Sequence, residues 1–489
     1  MQIKEDDDNS LKKKTVKGLF FGGFSNILQQ LIGFAFGVIL NRYFISEEDQ
    51  GKIAVILIFP LIASAFQESG FVVGLINKKN VTHRDYNAVF WCSLIISTIL
   101  YIILFLAAPF IANFYNNPEL VTLYRFHFLS LWFGSFSIAH NAYLFKNLMV
   151  LERSKIMLLA LIISNSIGLL FAYNGFAYWS IAIQTVTYTA ISSSLFFYFS
   201  KFRPTFQIDF SPLKDIYKFS SKILITNIFI HINNNIYSAV LGRFYSEKII
   251  GNLNQASKWN NMGQSVITNM INNVIQPVLN QIEDDDQRQV RVFRKLLNFT
   301  AFVAFITLFG LATVSDDFIR ITLTDKWIKT AAYLRILCIG GAFATINNLF
   351  SNLILTKGKS SIYMFNIISF GILQFCILLA CKHWGIEPSM LIISGLNVLW
   401  LFLWTAIIKN YITYSFSYLF KDVFSYAIFA ALGCYISYYF TQYIDNTYLR
   451  FLACAISAGS IYIVLNRLFK PEILTEIINF VSNTLVKKK

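Results

Sequence analysis

Seven polar residues between positions 254 and 276 carry the strongest chemical signal. Asn254, Lys258, Asn261, Ser265, Thr268, Asn272 and Gln276 recur at steps of three and four, which places them on one face of a helix. Trp259, Gly263, Val266, Met270 and Val274 form the opposite, apolar face. A Lys at the centre of a membrane helix costs about 2.5–3.5 kcal/mol on insertion scales, so it normally faces a bundle interior or water. The pattern predicts a hydrated cavity with Lys258 as the cation sunk in the membrane.

Weaker versions of the same pattern occur elsewhere. Asn227, His231, Asn234 and Ser238 share a face just before it, and Gly18, Gly22, Ser25 and Gln29 do so near the N-terminus. A second hydrophobic run carries Glu68 near its inner end, and His127, Ser130, Ser137 and Asn141 mark a fourth. The plainer reading of such residues is hydrogen bonding between helices. It suffices for His127, His140 and His231 taken singly, because a neutral imidazole satisfies itself on a neighbouring helix. Seven polar positions on one face exceed what packing requires.

Two acidic runs invite a different chemistry. The triple Asp of Glu283–Asp286 suggests a metal-dependent glycosyltransferase, but nothing near it supplies a nucleotide-binding fold. It and Asp6–Asp8 read as solvated segments, and the sequence calls for no metal or cofactor.

The elements that hold these faces are legible from composition. Of 489 residues, 56% are hydrophobic and only 14% charged, where soluble domains carry about 25% charged residues. A crossing helix needs about 20 apolar residues. Runs of that kind fall at 18–41, 53–76, 87–112, 121–145, 156–173, 176–199, 217–241, 250–278, 294–314, 331–355, 361–381, 388–408, 422–441 and 447–466. With the N-terminus in the cytoplasm, most of the 41 Lys and Arg fall on the inner side of this layout, as the positive-inside rule requires. The net charge of +15 therefore reflects orientation in a bilayer rather than a nucleic-acid surface, which would gather its cations on one soluble face. The run after Lys12, Lys13, Lys14 and Lys17 is too long for a signal peptide and reads as a retained helix. Six cysteines without a C-x-x-C pair indicate neither zinc nor a disulfide framework. The longest exterior loop, near 314–330, is short, so function must reside in the helices.

An internal repeat orders the chain. ILNRYFISEEDQG at 39–51 matches VLGRFYSEKIIG at 240–251, and Arg42 and Arg243 lie 201 positions apart. Each copy sits at the outer junction of the first two helices in a block of six, so the repeat is parallel. Such halves usually enclose a substrate path. The expected architecture is all-α and integral to the membrane, with about fourteen crossings and both termini cytoplasmic. Residues 1–205 form an N-lobe of helices 1–6, 206–415 a C-lobe of helices 7–12, and 416–489 helices 13–14 with a cytoplasmic tail.

Four stretches resemble one family, the polysaccharide transporters or O-antigen-type flippases of the multidrug/oligosaccharidyl-lipid/polysaccharide exporter superfamily. LNRYFISEEDQGKIAV (40–55) is similar to its helix 1–2 junction and SGFVVGLINKKNVTHRDYNAVFW (69–91) to its helix 2–3 loop. QPVLNQIEDDDQR (276–288) resembles the inner end of its helix 8, and TDKWIKTAAYLRILCIGG (324–341) the start of its helix 10. The resemblance implies a flippase that moves an undecaprenyl-diphosphate-linked oligosaccharide to the outer leaflet of a bacterial cytoplasmic membrane, without covalent chemistry. Lys258 would then neutralise the diphosphate, with Asn254, Asn261, Ser265, Asn272, Asn227, His231, Asn234 and Gln29 as walls for sugar hydroxyls. The partners implied are the lipid-linked substrate, membrane lipids and a H+ or Na+ gradient coupled at Glu68 or His231. Family cavities hold several cations. Here only Lys258 is mid-membrane, and Arg125 and Arg335 lie near the exterior ends of their helices. A drug/cation antiporter or a lipid II flippase of the same superfamily is the nearest alternative. A membrane oligosaccharide polymerase fits less well, because it would carry a large exterior loop.

Overall fold

The computed structural model describes residues 2–68, 71–78, 80–280 and 285–470, and among them every regular element is helical. The chain runs α1 (Gln2–Tyr43), α2 (Glu47–Ala54), α3 (Ile58–Glu68), α4 (Phe71–Asn77), α5 (His83–Phe114), α6 (Val121–Lys146), α7 (Val150–Tyr173), α8 (Ala177–Phe199) and α9 (Leu213–Leu241). It continues through α10 (Glu247–Asn280), α11 (Asp286–Thr313), α12 (Ser315–Thr322), α13 (Ile328–Thr356), α14 (Ser360–Ala380), α15 (Ile386–Ile408) and α16 (Phe416–Leu419). A π-helical turn at Phe420–Phe424 leads into α17 (Ser425–Thr441), and α18 (Thr447–Phe469) follows.

Ten of the described helical stretches are long and apolar enough to cross a bilayer. The expected spans that fall short of that hydropathy coincide with α6, α8, α9 and α10. Helix α8 contains no charged residue; its Ser, Thr and Tyr side chains lower its hydropathy. The outward faces are apolar. On α5, Ile99, Ile102, Leu106 and Phe110 recur at helical spacing and are 51–77% exposed. Such a stripe in water would forfeit about 25 cal/mol for every Å² of it, so its solvent is lipid.

Three local details depart from the sequence reading. The single span expected at 53–76 is a succession of short helices, α2, α3 and α4, with turns at Val55–Leu57. Pro60 sits in the first turn of α3, where a missing N–H costs nothing. Asp6–Asp8 belong to α1 rather than to a tail outside it. The segment 314–330, expected to be a plain exterior loop, contains α12 and a 3-10 turn at Asp325–Trp327. Within the second acidic run, Glu283 and Asp284 lie outside the described residues. Asp285 is the N-cap of α11 and accepts from the Arg288 amide at 2.9 Å.

By packing, the chain divides into two compact units, residues 1–251 with 367–375, and residues 252–366 with 376–489. The first unit is held by small and polar side chains set between helices, the usual glue of membrane bundles. Gln184 of α8 donates to Asn165 of α7 at 2.5 Å, beside Gly168, whose missing side chain admits the Gln184 stem. Trp132 of α6 donates to Thr98 of α5 at 3.2 Å, and Ser193 of α8 to the Phe133 carbonyl at 2.8 Å. Residues 200–211 are strapped along the start of α5. Asn87 donates to the Gln207 carbonyl and accepts from the Thr205 amide, both at 2.8 Å, and Trp91 donates to the Thr205 carbonyl at 2.7 Å.

The second unit uses two ion pairs as clamps. Arg294 of α11 grips Asp422 of the π turn with two hydrogen bonds of 2.7 and 2.9 Å and stacks 4.0 Å over Tyr418. Arg450 of α18 grips Asp317 of α12 the same way. The Tyr462 hydroxyl of α18 reaches the Phe302 carbonyl of α11 at 3.0 Å.

Candidate functional site

Helix α10 divides into two faces, as its sequence period requires. Lys258 and Asn261 are exposed, and Asn254, Ser265 and Thr268 are half-buried beside them. Ser265 turns its hydroxyl onto the Met262 carbonyl of its own helix at 2.9 Å. Asn272 continues this face in sequence, but its side chain lies outside the described ones. Among the described residues Lys258 enters no ion pair. An ammonium and a row of amides therefore stand on an accessible face, ready for an anion and for hydroxyl groups.

The opposite face packs against α11, α12 and α13. Trp259 meets Phe318 edge to face at 5.4 Å, and Gly263 receives the Leu308 side chain. Asn260 and Gln264 close over Gly341 of α13, leaving no room there for a Cβ. Thr330 donates to the Asn252 side chain at 2.8 Å. This face is thus more polar than its sequence suggested, and Val266, assigned to it, is instead 50% exposed. Asn252, Asn260 and Gln264 were missed as packing residues. The Gly340–Gly341 pair was the available signal, since close approach by a neighbour is what a helical glycine pair permits.

The remaining predicted residues fall in several places. In the first unit, Asn227 and His231 are half-buried on α9 and Asn234 is exposed. Between them Asn233 donates to the Ile367 carbonyl at 3.2 Å, and its amide fills the space above Gly371. Helix α9 packs on α3, whose last residue, Glu68, is exposed. Gln29 bonds Ser25 one turn back on α1 at 3.0 Å. Arg125 is engaged locally. It donates to the Phe105 carbonyl at 3.2 Å and lies 4.1 Å over the Phe105 ring. In the second unit Arg335 pairs with Asp316 at 2.6 Å and lines a pocket with residues of α11 and α17. Neither Arg now stands free like Lys258.

The repeat meets itself at the start of α10. The backbones of Gly51 and Gly251 cross so closely that a Cβ on either would overlap the carbonyl of Glu247 or Glu47. Lys52–Glu247 and Lys248–Glu47 flank the crossing reciprocally, both at 3.9 Å. Burial raises the Glu247 carboxyl above its usual range, while Lys52 pulls it the other way. Ser46 accepts from the Asp49 amide and Asp49 from the Ser46 amide, a capping box that fixes where α2 begins.

The sequence profile of the family described as polysaccharide biosynthesis protein matches residues 39–332, more than half of the chain. The chain belongs to this family. It is 24% identical over 370 residues to the lipopolysaccharide biosynthesis protein WzxC of Escherichia coli K12, covering 73% of each chain. It is also 24% identical over 304 residues to the teichuronic acid biosynthesis protein TuaB of Bacillus subtilis 168, covering 62% of this chain and 63% of that one. In fold it is similar to the lipid II flippase MurJ in an inward closed conformation, with a TM-score of 0.75, 16% identity, and coverage of 93% of this chain and all of the other. An inward-facing multidrug resistance transporter of the MATE family matches with a TM-score of 0.60 and 15% identity over 78% of this chain and 96% of that one. The family and the ten apolar helices make it a multi-pass protein of the bacterial cytoplasmic membrane.

Proposed function

We propose that the protein is a flippase that carries an undecaprenyl-diphosphate-linked oligosaccharide across the bacterial cytoplasmic membrane for surface polysaccharide synthesis. The observation that carries this reading is the accessible face of α10, where Lys258 stands among amide side chains with no carboxylate partner among the described residues. A diphosphate cannot enter a low-dielectric path without a counter-charge, and Lys258 supplies one. Asn254, Asn261, Ser265 and Asn272 offer donors and acceptors to sugar hydroxyls, and Asn227, His231, Asn234 and Gln29 take the same role. Arg125 and Arg335 join only by releasing their present partners. The chain makes fourteen crossings with both termini inside, its lobes span 1–205 and 206–415, and 416–489 adds a helical pair. Transport proceeds by alternating access, coupled to H+ or Na+ at Glu68 or His231.

An exposed cation on this face disfavours a drug/cation antiporter, which needs an acidic, apolar-walled site. A polymerase is disfavoured because such an enzyme would carry a large exterior loop, and the 314–330 segment is short and taken up by α12 and a 3-10 turn. A lipid II flippase shares the cavity chemistry and differs in the sugar.

The test is flipping of a fluorescent undecaprenyl-diphosphate oligosaccharide in proteoliposomes, wild type against Lys258→Ala at matched folded protein. Transport by the wild type, reduced by about two orders of magnitude in the variant, is expected; a loss of that size corresponds to about 2.7 kcal/mol. Transport unchanged by the substitution removes Lys258 from the path. No transport by the wild type under any imposed gradient overturns the flippase reading.

A further inference from the structure

At the end of the second unit where α11 and α17 finish and α18 begins, two pockets share Thr313 and Tyr438. The first, about 410 Å³, is an apolar slot between Phe309, Ala312, Ile339, Ala431 and Tyr435, with Arg335 at its edge. The second, about 210 Å³, is ionic and contains Asp316, Asp317, Arg320 and Arg450. The slot is of ligand size. Ala431 lies ten residues before the end of α17 and Ile339 eleven after the start of α13, so the slot penetrates roughly 15 Å at 1.5 Å per residue. That is half of a hydrocarbon core of about 30 Å, the depth of one leaflet.

The ionic pocket has a fixed floor and a labile rim. Arg450 holds Asp317, whose side chain is 9% exposed, through its double grip. The rim pairs, Asp316–Arg335 and Arg320–Asp325, have every side chain at least 45% exposed. Exposed pairs of this kind hold each other weakly and exchange partners readily. Both signs are therefore offered to a ligand at one place, at the mouth of a slot one leaflet deep. A simple anion would have to face Asp316 and Asp317, and a simple cation would have to face three guanidinium groups. A zwitterion satisfies both.

We propose that this composite pocket binds a membrane phospholipid with an amine-bearing zwitterionic headgroup, of the phosphatidylethanolamine type, beyond any role in carrying the transported lipid. One acyl chain fills the slot. The phosphate lies between Arg320 and Arg335, whose fork geometry suits its oxygens. The primary ammonium donates to Asp316, which a quaternary choline group cannot do because it has no N–H. By the proposed topology the site belongs to the outer leaflet.

The test is native mass spectrometry of the full chain released from nanodiscs containing equal parts phosphatidylethanolamine, phosphatidylcholine and phosphatidylglycerol. The wild type is expected to retain one phosphatidylethanolamine with roughly tenfold preference. Ala431→Trp, which fills the slot, should abolish retention. Asp316→Asn, at an exposed position that leaves the core untouched, should erase the preference over phosphatidylcholine at an unchanged melting temperature. Equal retention of ethanolamine and choline lipids by the wild type overturns the proposal. So does full retention by Ala431→Trp, or selective retention of phosphatidylglycerol, which would make it an anion site. Stoichiometric displacement by an added polyprenyl diphosphate also overturns it, by making the pocket a seat for substrate.

Discussion

Gly51 and Gly251, 200 positions apart in sequence, touch backbone to backbone: a Cβ on Gly251 would lie 3.0 Å from the Gly51 amide nitrogen and inside the Glu47 carbonyl. Equivalent residues of the two halves are thus each other's neighbours. Only glycine permits the approach, because what stands in the way is main chain that cannot turn aside.

Gly51→Ala and Gly251→Ala should each lower the melting temperature in detergent, at a cost of about 1–3 kcal/mol from overpacking. Gly33 has nothing within 4 Å of its would-be Cβ. Gly33→Ala should therefore be neutral or stabilise by up to about 1 kcal/mol. Equal behaviour of the three variants would show that the crossing is not tight.

Asn87 is buried and satisfies both an amide and a carbonyl of the 200–211 strap. Asn87→Ala removes both bonds and should cost about 1–3 kcal/mol. Limited trypsinolysis at Lys201 checks it, with cleavage expected to accelerate roughly tenfold at the same temperature. A variant cut no faster than wild type would mean that the other strap contacts, Trp91 to the Thr205 carbonyl and His83 to the Arg203 carbonyl at 2.8 Å among them, hold it without Asn87.

The strap should also loosen in acid. Asp209 is held down to about 2 by the Ser211 amide and hydroxyl first and by Arg84 after them. Because its folded value lies below the unfolded one of about 3.9, the stabilisation is present above that value. It is lost as pH falls from about 4 toward 2. Hydrogen exchange at Ser211, corrected for intrinsic rates, should show protection falling across that window in the wild type and low throughout in Asp209→Asn. A flat wild-type profile would exclude the carboxylate as the anchor.

Arg294 and Asp422 form a pair whose carboxylate is 3% exposed. Asp422→Ala should destabilise by about 2–3 kcal/mol, because it leaves a half-buried guanidinium unpaired. The double variant Arg294→Met/Asp422→Leu should recover most of the loss, measured as melting temperature in nanodiscs. Failure to recover would place the effect in the π turn itself.

How much was legible in advance can be judged from individual helices. Lipid leaves strong marks, so runs such as the one in α5 could be placed by hand, and a cation-bearing polar face on α10 stood out against them. The break between α2 and α3 was not legible, because hydropathy carries on through Val55–Leu57 while the backbone does not. Nor were the partners of Arg125 and Arg335. A carbonyl at Phe105 or a carboxylate at Asp316 leaves no periodic trace, and only the packed helices decide whether a guanidinium near a helix end is free. The repeat predicted equivalent junctions, but not that their glycines would meet.

The modest hydropathy of α10 bears on how the chain is made. Its buried face is matched by Leu308 of α11 and Gly341 of α13, both synthesised after it. Helix α9, just ahead of it, is also too polar to enter lipid readily by itself. During biogenesis α9 meets α3 already in place, but the residues of α10 emerge from the ribosome before the helices that cover them. They must linger at the translocation channel until later helices arrive, so the segment that bears Lys258 is committed to the bilayer only with its neighbours.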